Sequence, residues 1–537
     1  MRSIHSSNIM TIKSKNIPGI FNDVIGPVMR GPSSSHTAAS HRIASMIRQA
    51  AEPDFSKVIV KFDKSSALAT TYIGQGSAMG LAGGLLGLEM TNPEIINYET
   101  HIENGGFSID YIITDIDNKH PNAYQISVQY PNQEDLHILA ISTGGGMFEI
   151  IEWNGFKVSL KGDFFDTLLI FPKINSKEIT EIESVFKNSP SDIKLYISQD
   201  AEQNLLVNIK SAYNLNKEIE SALSLIKSTY QKYDFIPVMP TPSATEIKLP
   251  FTTVDEMLEI ATKNNFSLSE LAMMYEKART ALSEDAIMRK MEEIVLITKN
   301  AIDEGLKGTH YDDRILGSQS PLIGKTVKEG LIKQTVNSRI IAFTSAIMEV
   351  KSSMGLIVAA PTAGSCGVLG GTLFASLEEE EFDFKAMARA FLAAGVTGVF
   401  IADKYTFSAE EGGCQVETGS ASAMAAAALV ELNGGSAKQA MDAASMALQN
   451  QLGLICDPVA VRVEMPCLGK NIMAASNAYN SYIMAIAGFD AVIPYNEVID
   501  AMKSVGNTLP SSLCCTGLGG LAQTTTAKCL YKKYNDY

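Results

Sequence analysis

The chain has 537 residues, 46% of them hydrophobic and 19% charged. That length suits roughly three to four domains of about 150 residues, each with a sizeable core, and the composition excludes a disordered chain. The net charge of −15 argues against a general binder of nucleic acid or of anionic membranes. Seven cysteines in a chain this long form no small-domain disulfide framework, which suits a reducing compartment. The start, Met1 to Ser7, leads into no apolar core of signal-peptide length, and no run of about 18 apolar residues follows. The expectation is a cytoplasmic protein with no membrane span and no nucleic-acid partner.

Taken in order, residues 1 to about 15 are polar and read as loose. A short apolar segment, Ile20 to Val28, then precedes Gly31-Pro32-Ser33-Ser34-Ser35-His36-Thr37. A Gly-Pro turn followed by small hydroxyl residues reads as a helix start, with the helix running from about His36 to Ala51. Its first turn offers free N–H groups, serine hydroxyls and an imidazole together, which suits a carboxylate or other anion. A plain serine cap beside a surface histidine is the alternative. Val58–Phe62, Tyr111–Ile113, Tyr124–Val128 and Ala140–Ser142 read as strands, and Met79 to Leu88 as a small-residue helix. Ser142 leads into Thr143-Gly144-Gly145-Gly146, where the glycines permit either close approach to a ligand or a bulged hairpin. The pattern is not that of a dinucleotide site.

Residues 163–240 alternate as βαββαβ, the ferredoxin-like arrangement, and Pro237 to Pro242 reads as a linker. From Thr253 onward the pattern is helical, beginning with a capping-box-like Thr253-Val254-Asp255-Glu256. The acidic run Glu378 to Glu381 reads as a solvated face. Ala360-Pro361-Thr362-Ala363-Gly364-Ser365-Cys366 is a second turn of small and hydroxyl residues before a helix. The stretch from Glu410 to Cys467 then places Cys414 after a Gly-Gly pair, Cys456 two residues before a proline and Cys467 after one. Proline and glycine set the local backbone at all three, and the expectation is three thiols at non-helical points flanking helices. Such a trio can hold a metal centre. With no C-x-x-C pair, spacing alone reads more simply as packed, inert thiols.

Several of these motifs together resemble the iron–sulfur L-serine dehydratases. Gly31 to Thr37 and Ile141-Ser142-Thr143-Gly144-Gly145-Gly146 are similar to motifs of that family's β domain. Ala360 to Ser365, Gly413-Cys414-Gln415, Cys456-Asp457-Pro458-Val459 and Pro466-Cys467 are similar to those of its α domain. The resemblance implies a multidomain chain: an α/β N-terminal domain (16–160), a ferredoxin-like, ACT-type middle domain (163–240) and an all-α C-terminal catalytic domain (250–537). It implies a [4Fe–4S] cluster on Cys414, Cys456 and Cys467, one iron lacking a protein thiolate, and no pyridoxal phosphate. The implied activity is β-elimination of a small amino-acid substrate, L-serine, to pyruvate and ammonia by a homodimer. On that reading His36, Ser34 and Ser35 are the catalytic candidates. Ser33, Thr37, Ser142, Gly144, Thr362 and Ser365 are the substrate-binding ones.

The chain departs from the family pattern at defined places. Where relatives carry G-H-x-T-D it has Gly74-Gln75-Gly76-Ser77-Ala78, and where they carry R-E-T it has Cys514-Cys515-Thr516. Leu316 to Ser320 replaces a T-G-G-D/N-type stretch. Glutamine is no base near neutral pH, so the proton must pass to His36 or His41. The same chemistry on threonine or cysteine, or an amino-acid sensor without catalysis, are the alternatives these departures keep open. Cys529, near the end of the chain, is a candidate for the open iron. For Cys529, Cys514, Cys515 and Cys366, an exposed or packed thiol is the plainer reading.

Overall fold

The structure is a computed structural model that describes residues 17–535 apart from 119, 188–192, 201, 245–246, 281 and 378–381. The loose N-terminal stretch and the acidic run at 378–381 lie outside the described residues.

The N-terminal half is built on a six-stranded sheet. Its order is Ser108–Thr114, Lys57–Asp63, Ala123–Gln129, Leu136–Gly144, Met147–Trp153, Phe156–Leu160. Only the first pair is parallel; the other neighbours are antiparallel. Alternation in Lys57–Asp63 and Leu136–Gly144 buries every second side chain, the mark of a sheet covered on one face. The helices Ala39–Ala50 and Ser77–Leu86 pack against each other closely. The triple glycine forms a bulged hairpin turn, with register shifting between Ser142 and Gly144 and φ of +95°, +60° and +88° at Gly144, Gly145 and Gly146.

Next comes a four-stranded antiparallel sheet in the order Gln231–Phe235, Phe165–Phe171, Leu205–Ser211, Ile193–Gln199, with the helices Ser176–Lys187 and Asn216–Leu223 between strands. One face shares a core with the six-stranded sheet through Leu168, Leu206 and Phe235; the other packs its own helices through Leu169, Phe171 and Val207. The last strand ends at Phe235, short of the Val238 expected, because Val238 and Met239 N–H groups turn to the Gly162 carbonyl.

Among the described residues the C-terminal half is helical, apart from a two-residue strand, Ile357–Val358, that pairs with Val28–Met29. Thr253 and Glu256 close the expected capping box on helix Val254–Asn264. Phe384–Lys404 and Thr418–Leu432 run through the centre of the largest apolar cluster. Phe384–Lys404 is long and apolar enough to cross a membrane, but 78% of its apolar window is buried here among other helices. The segment Ile20–Val24 does not join the sheet that follows it. Ile20, Phe21, Val24 and Ile25 belong to the helical core, and the Tyr275 hydroxyl donates to the Pro18 carbonyl (2.9 Å).

Candidate active site

The two hydroxyl-rich turns face each other. Ser34–Ala38 is a π-type turn ahead of helix Ala39–Ala50, so the regular helix starts three residues later than His36. The Ala363 N–H donates to the Ser34 hydroxyl (3.2 Å), joining this turn to the 3₁₀ turn Ala363–Ser365. Ser33, Ser34, Ser35, His36 and Thr37 are all buried, which removes the surface-histidine alternative. Ser142 donates to the Ser35 carbonyl (2.8 Å) from the neighbouring strand. Thr37 donates to the Gln75 carbonyl (3.1 Å) and packs under Gly31 and Gly76. A Cβ on Gly144 would fall 2.8 Å from the Ser408 nitrogen, so this glycine lets the hairpin close on the segment carrying Glu410.

Hydrogen bonding assigns the tautomer of His36. The Thr71 hydroxyl donates its one proton to the Ala67 carbonyl (2.7 Å), so toward His36 Nε2, 2.8 Å away, it can only accept. Nε2 therefore carries the hydrogen, and Nδ1 accepts from the Ser33 hydroxyl (3.1 Å), with the Ser35 hydroxyl 3.0 Å away. Ser35 in turn donates to Glu410 Oε1 (2.9 Å), and Ser408 donates to Glu410 Oε2 (2.7 Å). Burial lowers the pKa of His36, and the Glu410 charge only partly opposes this. The imidazole is thus neutral near pH 7 and able to accept a proton. His41 is tied elsewhere: its Nε2 donates to the Leu88 carbonyl (2.7 Å) against helix Ser77–Leu86.

A second set of groups lies behind Thr362. Its hydroxyl donates to Glu417 Oε1 (2.7 Å) and lies 3.1 Å from the Ser365 hydroxyl. Ligand atoms of Glu417, Cys414 and Cys456 lie within 4.8 Å of one another. Burial pushes the Glu417 carboxyl up to about 7, with the Thr362 hydrogen bond acting against it. Gly413, at φ +73°, turns the chain so that Cys414 heads a 3₁₀ turn, and Cys456 sits in an isolated bridge with Cys514. Cys467 differs from expectation: it is the first residue of helix Cys467–Ile486, because Pro466 ends the preceding turn at that point. All three thiols are buried and none is in a disulfide. Burial pushes the Cys467 thiol well above its ordinary range, and the Cys414 charge adds to this.

Two cations balance these groups. The Lys470 ammonium donates to Asp457 Oδ1 (2.8 Å), to the Ile455 carbonyl (2.7 Å) and toward Cys414 Sγ (3.7 Å). Burial opposes its charge, yet Cys414 and Asp457 hold its pKa above the usual lysine range. Lys351, fully buried, donates to the Val463 carbonyl. Cys414, Cys456 and Glu417 converge, whereas Cys467 is buried within electrostatic reach of Cys414 but outside that group; two free thiols and a carboxylate with ammonium groups balancing their charge fit a metal centre.

Two of the departures from the family pattern meet here. The Gln75 amide, 1% exposed, donates to the Val461 carbonyl (3.3 Å) and to Cys515 Sγ (3.6 Å). Cys515 shares a buried cluster with Cys414 and Cys456, and its backbone N–H donates to the Cys456 carbonyl (3.0 Å). Glu410, Glu417, Lys470, Lys351 and Cys515 were all missed as site residues in sequence. Glu410 and Glu417 flank Gly412-Gly413-Cys414, and that adjacency is the signal by which they could have been found. Asn122 was missed too: it is fully buried and, among the described residues, neither end of its amide has a partner. Cys366 packs against Met348 (3.7 Å between sulfurs), and Cys529 is exposed on helix Thr525–Asn535.

Residues 263–522 match the family model described as serine dehydratase alpha chain. The probable L-serine dehydratase alpha chain of Bacillus subtilis is 39% identical over 289 residues, 53% of this chain and 95% of that relative. The chain belongs to the serine dehydratase alpha-chain family. The L-serine dehydratase alpha chain of Peptoniphilus asaccharolyticus is 35% identical over 289 residues, 51% of this chain and 95% of its own length. L-serine dehydratase 1 of Escherichia coli K12 is 31% identical over 290 residues, 52% of this chain and 63% of its own. In this serine dehydratase alpha-chain member, the matched residues carry Cys414, Cys456, Cys467, Glu410 and Glu417. His36 and its serines come from outside them.

Proposed function

We propose that the chain is an L-serine ammonia-lyase that converts L-serine to pyruvate and ammonia, with a [4Fe–4S] cluster held by Cys414, Cys456 and Cys467. The observation that carries this is the convergence of two buried free thiols, Cys414 and Cys456, with Glu417 and Lys470, in the same segment that supplies Glu410 to the Ser35–His36 pair. When bound, such a centre supplies a Lewis acid that stabilises departure of the substrate hydroxyl.

The chain's own residues do the rest. His36, through Nδ1 and the Ser35 hydroxyl, accepts and passes on the proton leaving the carbon that bears the amine. Ser34 holds the two turns at a fixed separation. Ser33, Thr37, Ser142, Gly144, Thr362 and Ser365 form the walls that position the amino acid, and the open amide of Asn122 is available to its polar groups. The ACT-type reading of the middle unit rests on its βαββαβ order and its sheet sequence of fourth, first, third and second strand.

A second reading has its own support. Gln75 and Cys515 replace a histidine and a glutamate of the family pattern and touch each other at the thiol site, which favours a different β-substituted amino acid such as threonine or cysteine. Anaerobic assay of cluster-loaded protein separates the readings. Pyruvate and ammonia from L-serine in equal amounts are expected; turnover of threonine or cysteine with none of serine overturns the first reading in favour of the second.

A further inference from the structure

The groups on the Nδ1 side of His36 do not by themselves leave that nitrogen free to act as a base. Ser33 can donate to a lone pair on Nδ1 or accept from an N–H there. Ser35 gives its one proton to Glu410 and toward Nδ1 can only accept. Glu410 Oε1 lies 3.5 Å from the same nitrogen, and its charge also favours a hydrogen on it. Thr71 acts against this from the other side of the ring. It is fully buried at the end of the short helix Leu68–Thr71. Its proton goes to the Ala67 carbonyl four residues back, so toward Nε2 its oxygen is an acceptor whose polarity the backbone fixes. Main-chain bonds hold this acceptor in register with the ring. The Gln75 N–H donates to the Thr71 carbonyl (2.8 Å), and the Gln75 carbonyl accepts from the hydroxyl of Thr37, the residue after His36 (3.1 Å).

We propose that Thr71 is a positioning residue of the reaction: by accepting from Nε2–H it holds His36 in the tautomer whose Nδ1 can take a proton. The inference rests on the lyase reading above, in which His36 is the base. Thr71 acts through His36 and not on the substrate. A methyl group in place of its hydroxyl leaves Nε2–H without a partner in a buried site, which is unfavourable. The hydrogen then moves to Nδ1, where Ser35 and Glu410 accept it. The ring stays neutral and in place, but it presents an N–H to the serine cage where the reaction needs a lone pair.

The test uses the full chain, loaded anaerobically with iron and sulfide and labelled with nitrogen-15 in its histidine rings, as wild type, the isosteric Thr71→Val and the hydroxyl-keeping Thr71→Ser. His36→Asn identifies the His36 signals among the seven histidines. Ring nitrogen chemical shifts read the tautomer, and steady-state kinetics give kcat and KM for L-serine. The wild type and T71S are expected to show the hydrogen on Nε2 and a bare Nδ1, and T71V the reverse. T71V is expected to lose about 10²–10⁴-fold in kcat, the weight of a general base, with KM nearly unchanged, and T71S to keep most of the activity. A wild type with the hydrogen on Nδ1 overturns the inference. So does a T71V that keeps the wild-type ring shifts, whatever its activity or denaturant midpoint, because a merely structural role leaves the tautomer alone. A wild type with the expected shifts that makes no pyruvate from L-serine overturns the lyase reading instead, and Thr71 still sets the tautomer.

Discussion

At the scale of single residues, the site is a chain of short contacts from an imidazole to a set of thiols. His36 reaches Glu410 through Ser35, and Thr362 reaches Cys414 and Cys456 through Glu417. The pKa of His36 is lowered by burial and raised by Glu410, so Glu410→Gln removes the opposing influence and lowers it further. The acid limb of kcat/KM is then expected to move to lower pH, which a pH–rate profile reads directly. His36→Ala is expected to cost about 10²–10⁴-fold in kcat, the usual weight of a positioned general base. Stability follows the same sign. A histidine whose folded pKa lies below its unfolded value of about 6.5 costs stability as pH falls through that value, because the unfolded chain takes up the proton first. His36, His41 and His120 all have lowered values, so denaturant midpoints are expected to fall as pH drops below that point.

At the scale of elements, close packing of small residues sets the position of the His36 turn. A Cβ on Gly80 would lie 2.1 Å from the Thr37 carbonyl, a backbone atom that cannot swing aside. Helix propensity alone predicts that Gly80→Ala stabilises by about 1 kcal/mol, whereas overpacking costs about 1–3 kcal/mol. The clash wins: G80A is expected to lower the denaturant midpoint and the activity together. This close approach was not legible in the sequence, where Gly80 read as one small residue among many in the helix from Met79 to Leu88. The sequence pattern did reveal most of Lys57–Asp63 and Ala123–Gln129, as Val58–Phe62 and Tyr124–Val128, but only Ala140–Ser142 of Leu136–Gly144. Met147–Trp153 escaped because a bulge between Ile150 and Glu152 breaks its alternation, whereas Phe156–Leu160 alternates cleanly and was legible but not read. Cys414 and Cys456, which the fold brings together with Glu417, stood out in sequence through their motifs. The acids and lysines around them did not, because charge in a sequence reads as surface until folding shows it paired and buried.

At the scale of the whole molecule, the site exists only where two halves meet. His36, Ser34 and Gln75 come from the N-terminal half; Glu410, Ala363 and Cys515 come from the helical half. Ile20 ties them together, seated against Gly395 in the middle of the helical core although it precedes the sheet in sequence. Ile20→Ala is expected to destabilise the chain by about 2–5 kcal/mol through the cavity it leaves, read as a lower denaturant midpoint for the helical half. The central claim concerns the metal centre, and the direct measurement is iron and acid-labile sulfide counted in anaerobically prepared wild type and in Cys456→Ala. The account predicts iron and sulfide in equal amounts in the wild type and a large loss in C456A, with the far-ultraviolet circular dichroism of the two alike. Iron-free wild type, or a variant that keeps the wild-type count, would contradict it.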